Sequence, residues 1–234
     1  MRINIWSDIV CPWCYIGKRR LETALADFPH ADEVEIQWHS YLLDPTAPAV
    51  PTETVAESLG RKYGGGPQAG REMISRVVDV AAQEGMAWRY EEAMHVSTVD
   101  AHRLLHLAFA EGGAALQGAL KEALFDANFG QARNIGDPAV LTDIATSVGL
   151  VGERVSEVLQ GTDYAAEVEA DVAAARAYGA TGVPFYVVDE KYGVSGAQPA
   201  KVFTQVLERA WADSRPSIDI VASGEECGPD GCAI

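Results

Sequence analysis

The amino-acid sequence predicts an α/β fold in which the elements follow the order β-α-β, a large all-helical insertion, and then β-β-α. Three observations lead to this prediction. Segments with the alternation or β-branched composition of strands lie near the two ends of the chain, at about 2–6, 33–41 and 182–196. The residues between them have helical periodicity almost throughout. A Cys-x-x-Cys pair, Cys11 and Cys14, separates the first predicted strand from the first predicted helix.

The N-terminal region is predicted to form a strand, a helix and a second strand. The apolar run at 2–6 gives the first strand, and residues 16–26 have the amphipathic pattern of a helix. In the second strand, alternation places four side chains on one face: Val34, Ile36, Trp38 and Ser40. The proline-rich link that follows, at 44–51, is not expected to be regular.

The long helical segment, from about 52 to 178, is divided by glycine, proline and capping residues. These breaks are expected at 64–67, 112–113, 134–138 and 161–163. Asp137 followed by Pro138 fits a helix N-cap and the first helical position. We therefore expect a block of several helices.

The C-terminal region is predicted to return to strands and to close with a helix. Two short strands, at 182–188 and 192–196, precede a helix over 199–213. These elements predict a three-part organisation: a discontinuous α/β domain at 1–50 and 179–213, a helical insertion subdomain at 51–178, and a tail at 214–234.

Composition excludes several classes of partner. The formal net charge of −16 argues against nucleic acid, because phosphate binding needs clustered Lys and Arg. No apolar run is long enough for a membrane helix, so no membrane partner is expected. The N-terminus lacks the pattern of a secretory signal, which leads us to expect a cytoplasmic location. Structural disulfides are rare there, so cysteine pairs are more often catalytic, sensing or metal-binding.

The Cys11–Cys14 pair is the strongest candidate for chemistry. The first turn of a helix favours an anion, and a Cys11 thiolate at that position is such an anion. The basic run Lys18-Arg19-Arg20 would add positive potential. Cys14, one turn further and more interior, suits the role of a resolving thiol. The alternative is half of a zinc site, but Pro12 is preorganised for a helix start and favours the redox hypothesis.

Three motifs resemble one known family. They are the run 7–17 around the cysteines, Ala101-His102-Arg103-Leu104 in the insertion, and the run 180–186 followed by 193–198. With the order of elements, they resemble the DsbA-type family of thioredoxin-fold oxidoreductases, most closely its FrnE-like cytoplasmic branch. That branch is related to 2-hydroxychromene-2-carboxylate isomerases. The resemblance covers residues 1 to about 213 and implies a thioredoxin-like fold.

The resemblance also implies roles for individual residues. It implies a cis Val183–Pro184 peptide bond, with Pro184 acting beside Cys11 and Cys14 and the Val183 backbone receiving a partner polypeptide or glutathione. A trans bond at a rigid strand start is the alternative. Pro12 and Trp13, between the cysteines, are expected to face the substrate.

One position departs from the family's pattern. Many thioredoxin-fold enzymes have a buried acid six residues before the first cysteine, where this chain has Ile5. Asp8 is the nearest carboxylate, and it either substitutes for that acid or solvates a loop.

A second cysteine pair, Cys227 and Cys232, lies in the tail. Some FrnE-like proteins carry a similar Cys-x-x-x-x-Cys pair, which suggests an electron relay to Cys11 and Cys14. The alternatives are surface thiols, a metal-binding pair, or a four-thiolate zinc site built with Cys11 and Cys14.

The remaining candidates are weaker. His102 and His106 are four residues apart and could share a metal, but core or surface roles fit them better, and His39 is expected to be structural. The glycines at 64–66 lack the Lys-Ser/Thr ending of a phosphate loop, so we expect no cofactor.

The leading functional hypothesis is a thiol-disulfide oxidoreductase or isomerase that acts on disulfide-containing or thiol-containing client proteins. One alternative is a glutathione-dependent isomerase or transferase of the hydroxychromene-carboxylate type, in which serine typically replaces Cys11. The other is a thiolate metal-binding module that uses all four cysteines.

Overall fold

The computed structural model describes residues 1–214, and these form one mixed sheet covered by helices. The sheet has four strands in the order β2-β1-β3-β4. Strand β1 is parallel to β2 and antiparallel to β3, and β3 is antiparallel to β4. The strands are β1 (Arg2–Ser7), β2 (Glu35–Ser40), β3 (Phe185–Val188) and β4 (Tyr192–Ser195).

The helices of this described part follow the predicted order, with most of them between β2 and β3. They are α1 (Pro12–Ala26), α2 (Val55–Tyr63), α3 (Gly66–Gln83), α4 (Val99–Phe125), α5 (Pro138–Ser147), α6 (Gly152–Gln160), α7 (Ala165–Ala177) and α8 (Ala200–Ser214). A π-helical turn, Asp126–Gly130, extends α4. The predicted succession of β-α-β, helices and β-β-α is therefore confirmed.

Capping signals account for several of the helix starts. Thr54 and Glu57 form a capping box at α2, in which each side chain meets the backbone N–H of the other residue. The Asp137 side chain accepts a hydrogen bond from the Ala139 N–H at 2.8 Å, which confirms the predicted cap of α5. Helix α1 begins at Pro12, as expected of a proline whose ring already has the φ of a helical first turn, and four residues before the amphipathic pattern at 16–26.

The predicted break at Gly112–Gly113 is a kink rather than a helix end. Helix α4 runs across it, with a local non-helical conformation at Gly113, where φ is 63°. Glycine adopts this conformation without the cost that a Cβ would bring. After the kink, the Gln117 side chain pairs with the Trp38 backbone in both directions, at 2.9 Å each way. This contact fixes the second half of α4 against β2.

The core has three main clusters of buried apolar side chains. One lies between the sheet, α1 and α8, and another is built by α4, α5 and α6. The third joins α1 to α2, α3 and the end of α4, and it contains Cys11 and Cys14. The helical insertion therefore covers the N-terminal end of α1. The division into a discontinuous domain and an insertion subdomain stays a prediction. Within residues 1–214, no helix is long and apolar enough to span a membrane.

Candidate active site

Cys11 is the N-cap residue of α1, and Cys14 lies on the first turn of that helix. The Cys11 N–H donates to the Asp8 carbonyl at 3.1 Å, and the Cys14 N–H donates to the Cys11 carbonyl at 3.0 Å. Both thiols are unpaired and buried, with Cys14 only 1% exposed. The predicted placement of a dithiol at a helix start, with Cys14 interior, is confirmed.

A cis peptide bond between Val183 and Pro184 lies directly against the dithiol, as the resemblance implied. The Cys11 Sγ is 3.5 Å from the Val183 carbonyl oxygen. Helix α1 approaches this loop closely at Gly17. A Cβ there would lie 3.2 Å from Pro184 Cγ and well inside van der Waals contact with Tyr186 Oη. The absence of a side chain at position 17 is what allows the two segments to meet.

An apolar groove of about 330 Å³ opens beside Cys11. Trp13 stands at its edge and is 44% exposed, as predicted for a residue between the two cysteines. Aromatic and aliphatic side chains from the insertion form most of the walls: Leu59, Tyr63, Met73, Ile74, Val77 and Tyr90. Pro12, Gly182 and Val183 complete it. A substrate segment in this groove would have its backbone next to Val183 and its sulfur next to Cys11.

The two thiols differ in their electrostatic surroundings. Burial raises the pKa of Cys14 well above its ordinary value, and the hydrogen bond and charge of Cys11 raise it further. The nearby positive charge of Lys121 and a backbone hydrogen bond from Asp8 act in the opposite direction. Cys14 is therefore a protonated thiol in the reduced protein at neutral pH.

Lys121 is a residue of this site that sequence reasoning missed. It comes from α4, its side chain is 0% exposed, and burial lowers its pKa to about 8. Its Nζ lies 4.7 Å from the centre of the Phe125 ring and 5.4 Å from that of Trp38. The sequence feature that could have identified Lys121 is its helical spacing: it is four residues from both Gln117 and Phe125, on the apolar side of α4.

The sequence matches the DSBA-like thioredoxin domain family over residues 2–208. The chain belongs to this family. The family and the thioredoxin-like fold predicted from the motifs are thereby confirmed, and the chain is a DsbA-like member of a group of oxidoreductases and isomerases.

Solved structures agree with this DsbA-like assignment. A probable DsbA oxidoreductase from Streptomyces coelicolor is 46% identical, with a TM-score of 0.85 over 100% of this chain and 99% of that one. The cytosolic disulfide reductase DsbM from Pseudomonas aeruginosa, solved with GSH, is 16% identical, with a TM-score of 0.63 over 91% and 100% of the two chains. A 2-hydroxychromene-2-carboxylate isomerase is 13% identical, with a TM-score of 0.64 over 92% and 98%. The last two show a shared fold.

In this DsbA-like site, Asp8 lies in the loop between β1 and α1, but its carboxylate is buried and hydrogen-bonded rather than solvated. Its Oδ2 accepts from the Leu43 N–H at 2.8 Å, and its Oδ1 lies 3.3 Å from His102 Nε2. Although burial favours the neutral acid, these contacts outweigh it and lower the pKa of Asp8. For His102, in contrast, burial itself lowers the pKa. At neutral pH the neutral imidazole of His102 therefore donates to the ionised carboxylate of Asp8.

The basic run of α1 contributes less free charge than the sequence suggested, because each residue is paired. Lys18 and Arg19 contact Glu22 and Glu122, and the Arg20 guanidinium donates to Glu84 at 2.6 Å. These carboxylates offset the positive potential that the run would otherwise direct at Cys11. The buried cation near the dithiol is Lys121 instead.

His102 and His106 contact different carboxylates and do not face a common site. His106 and His39 both contact Asp171, at 3.0 and 2.7 Å, while His102 turns to Asp8. Across residues 1–214, no group of three or more His, Cys, Asp and Glu side chains is arranged to hold a metal. Cys227 and Cys232 lie outside the described residues, so the relay and the four-thiolate zinc site stay predictions.

Proposed function

We propose that this protein catalyses thiol-disulfide exchange with client proteins through Cys11 and Cys14. One observation supports this most: the Cys11 sulfur lies at a helix N-terminus, 3.5 Å from the Val183 carbonyl, at the edge of an open apolar groove. The helix end favours a Cys11 thiolate. The groove and the Val183 backbone provide room and hydrogen-bonding groups for an extended substrate segment.

The reaction proceeds in two exchanges. The Cys11 thiolate attacks one sulfur of a substrate disulfide, so that a Cys11–substrate bond forms and the other substrate sulfur leaves as a thiolate. Cys14 then loses its proton and attacks Cys11 Sγ, which forms the Cys11–Cys14 disulfide and releases the second substrate thiolate. Two electrons pass from the protein dithiol to the substrate. The reverse sequence oxidises a client dithiol.

The burial of Cys14 gives these steps an order. Both thiols are buried, but Cys11 lines the groove, where a substrate disulfide can approach it, whereas Cys14 does not line the groove and can react only with the sulfur of Cys11. Trp13, Pro12 and Val183 contact the bound segment. The proposed partners are proteins with an accessible disulfide or dithiol, and glutathione is the small thiol that could compete with them at Val183.

Insulin reduction by wild type, Cys11→Ser and Cys14→Ser proteins tests this proposal. Cys11→Ser should lose activity, and Cys14→Ser should accumulate a mixed disulfide without turning over. The matched control is Cys227→Ser/Cys232→Ser, which should keep a single round of reduction and lose only multiple turnover if the tail relays electrons. If Cys11→Ser and Cys14→Ser both reduce insulin as well as wild type, the proposal is wrong.

The same variants separate the two alternatives. Glutathione-dependent isomerase turnover that is saturable and survives Cys14→Ser would favour an isomerase, and the intact dithiol argues against it. Stoichiometric zinc in reduced protein, lost on mutating Cys11 or Cys227, would favour a thiolate metal site.

A further inference from the structure

Lys121 carries a buried nitrogen whose hydrogen-bonding capacity is unused. Within the described chain its Nζ has no hydrogen-bond partner, and the side chain is 0% exposed. The faces of the Phe125 and Trp38 rings, at 4.7 and 5.4 Å, partly offset its charge. An unpaired buried ammonium is costly, because it loses its hydration without gaining an anion. A buried lysine is more easily explained where its positive charge stabilises a neighbouring group.

The position of Lys121 identifies that neighbour. Phe125, one turn further along α4, stacks on Tyr15 with ring centroids 4.8 Å apart, and Tyr15 follows Cys14 directly in α1. Cys14 and Phe125 share one buried cluster. Through Phe125 and Tyr15, Lys121 therefore lies close to the first turn of α1, where the negative charge of a Cys14 thiolate would favour the charged form of Lys121.

Other charged groups around Lys121 are already satisfied. Asp8 is held by Leu43, His102 and Thr98, and Glu122 is paired with Lys18 and Arg19 on the far side of α4. Because its contacts lower the pKa of Asp8, the carboxylate is a weak base and a poor proton acceptor at neutral pH. His102 is neutral and faces Asp8, and Lys18 repels Lys121 weakly. Of these groups, Lys121 alone has no polar partner in residues 1–214.

We propose that Lys121 is the positioning residue of the resolving step, and that its charge stabilises the Cys14 thiolate while that thiolate attacks the mixed disulfide at Cys11. This rests on the proposed exchange function. A lysine of the helical insertion would then control the ionisation of Cys14. The position on β1 where many thioredoxin-fold enzymes have a buried acid is Ile5 in this chain.

The effect of the Lys121 charge on Cys14 is greatest once the mixed disulfide has formed. In the reduced protein, two of the influences that keep Cys14 protonated come from Cys11: its hydrogen bond and its charge. Both disappear once Cys11 Sγ is bonded to substrate, which leaves burial opposed by the charge of Lys121 and by the backbone hydrogen bond from Asp8. The Cys14 proton leaves to the amine fraction of Lys121 or to water, the Cys14–Cys11 bond forms, and the substrate sulfur departs with the electron pair.

A chromogenic aryl disulfide can measure the two exchanges separately in a Cys227→Ser/Cys232→Ser background. The first coloured thiolate reports attack by Cys11, and the second reports resolution by Cys14. Removing an opposite charge raises a pKa by about 1–3 units. The loss of thiolate is partly offset by the greater nucleophilicity of a more basic sulfur, so resolution should slow by about 3- to 60-fold.

Lys121→Met should therefore slow only the second phase and move the pH midpoint of that phase upward. Lys121→Arg keeps the positive charge, so its second phase should have the rate and pH midpoint of the parent protein. Lys18→Met, in which the lost cation was already paired with carboxylates, is the matched control and should leave the second phase unchanged. If Lys121→Met does not fold, Lys121→Gln is measured in the same way. A folded variant with an unchanged second-phase pH profile, or with both phases slowed equally, would overturn the inference. Absence of a second phase in the parent protein would instead refute the exchange function itself.

Discussion

The contact between α1 and the cis-proline loop gives a quantitative prediction at Gly17. Gly17→Ala would place a methyl group against Tyr186 Oη and 3.2 Å from Pro184 Cγ. Overpacking of this kind costs about 1–3 kcal/mol. Alanine regains about 1 kcal/mol of helix propensity relative to glycine. We therefore expect Gly17→Ala to lower the free energy of unfolding by up to about 2 kcal/mol, with weaker exchange activity because α1 moves away from Val183.

A double-mutant cycle with Tyr186→Phe tests whether the clash is the cause. The Tyr186 hydroxyl is buried and has no hydrogen-bond partner among the described residues. Its removal alone should therefore change stability by less than about 1 kcal/mol. In the double variant the nearest obstructing atom is gone, so both stability and activity should return toward those of wild type.

Urea unfolding followed by circular dichroism, together with insulin reduction, provides the two readouts. A favourable coupling energy of about 1 kcal/mol or more between positions 17 and 186 is expected for residues in direct contact. If the double variant is as unstable as the sum of the single variants, the close approach of α1 to the proline loop does not explain why position 17 is glycine.

Two further predictions concern the groove and a polar cluster behind the sheet. Trp13→Ala should change stability by less than about 0.5 kcal/mol, because Trp13 is 44% exposed, yet raise the KM for a disulfide-containing peptide, as steady-state kinetics would show. Asp171→Asn should cost about 1–3 kcal/mol at pH 7, because the carboxylate contacts His39 and His106. Those contacts lower the pKa of Asp171 despite its burial, so the stability it provides is present above about pH 4 and is lost as the pH falls further. The variant should therefore show a shallower acid-side loss in pH-dependent melts, and an unchanged slope would contradict this assignment.

The local motifs of this protein could be predicted from the sequence because their chemistry is local. Cys11, Pro12 and Cys14 define a helix start within four positions, and the pattern around Val183–Pro184 is similarly short. The start of α5 at Asp137 also follows from neighbouring residues. Gly113 misled the prediction because a glycine tolerates both a helix end and a kink, and packing decides between them.

The electrostatics of the site could not be predicted in the same way. Lys121 lies 107 positions from Cys14 in the sequence, and its neighbour Glu122 makes half-buried pairs with Lys18 and Arg19. Asp8 and His102 are 94 positions apart, so neither identifies the other as its partner. In each case the burial and the contacts that set the pKa arise only from tertiary packing. The basic run of α1 was conspicuous in the sequence, but its carboxylate partners were not.

The position of the trapped substrate sulfur tests the central claim most directly. Cys14→Ser protein is incubated with a disulfide-containing client, and the complex is digested without reduction and mapped by mass spectrometry. The proposed mechanism predicts a client peptide linked to Cys11, and no such complex with Cys11→Ser. Linkage mainly to Cys227 or Cys232, or equal trapping by the Cys11→Ser variant, would contradict the assignment of Cys11 as the attacking thiol.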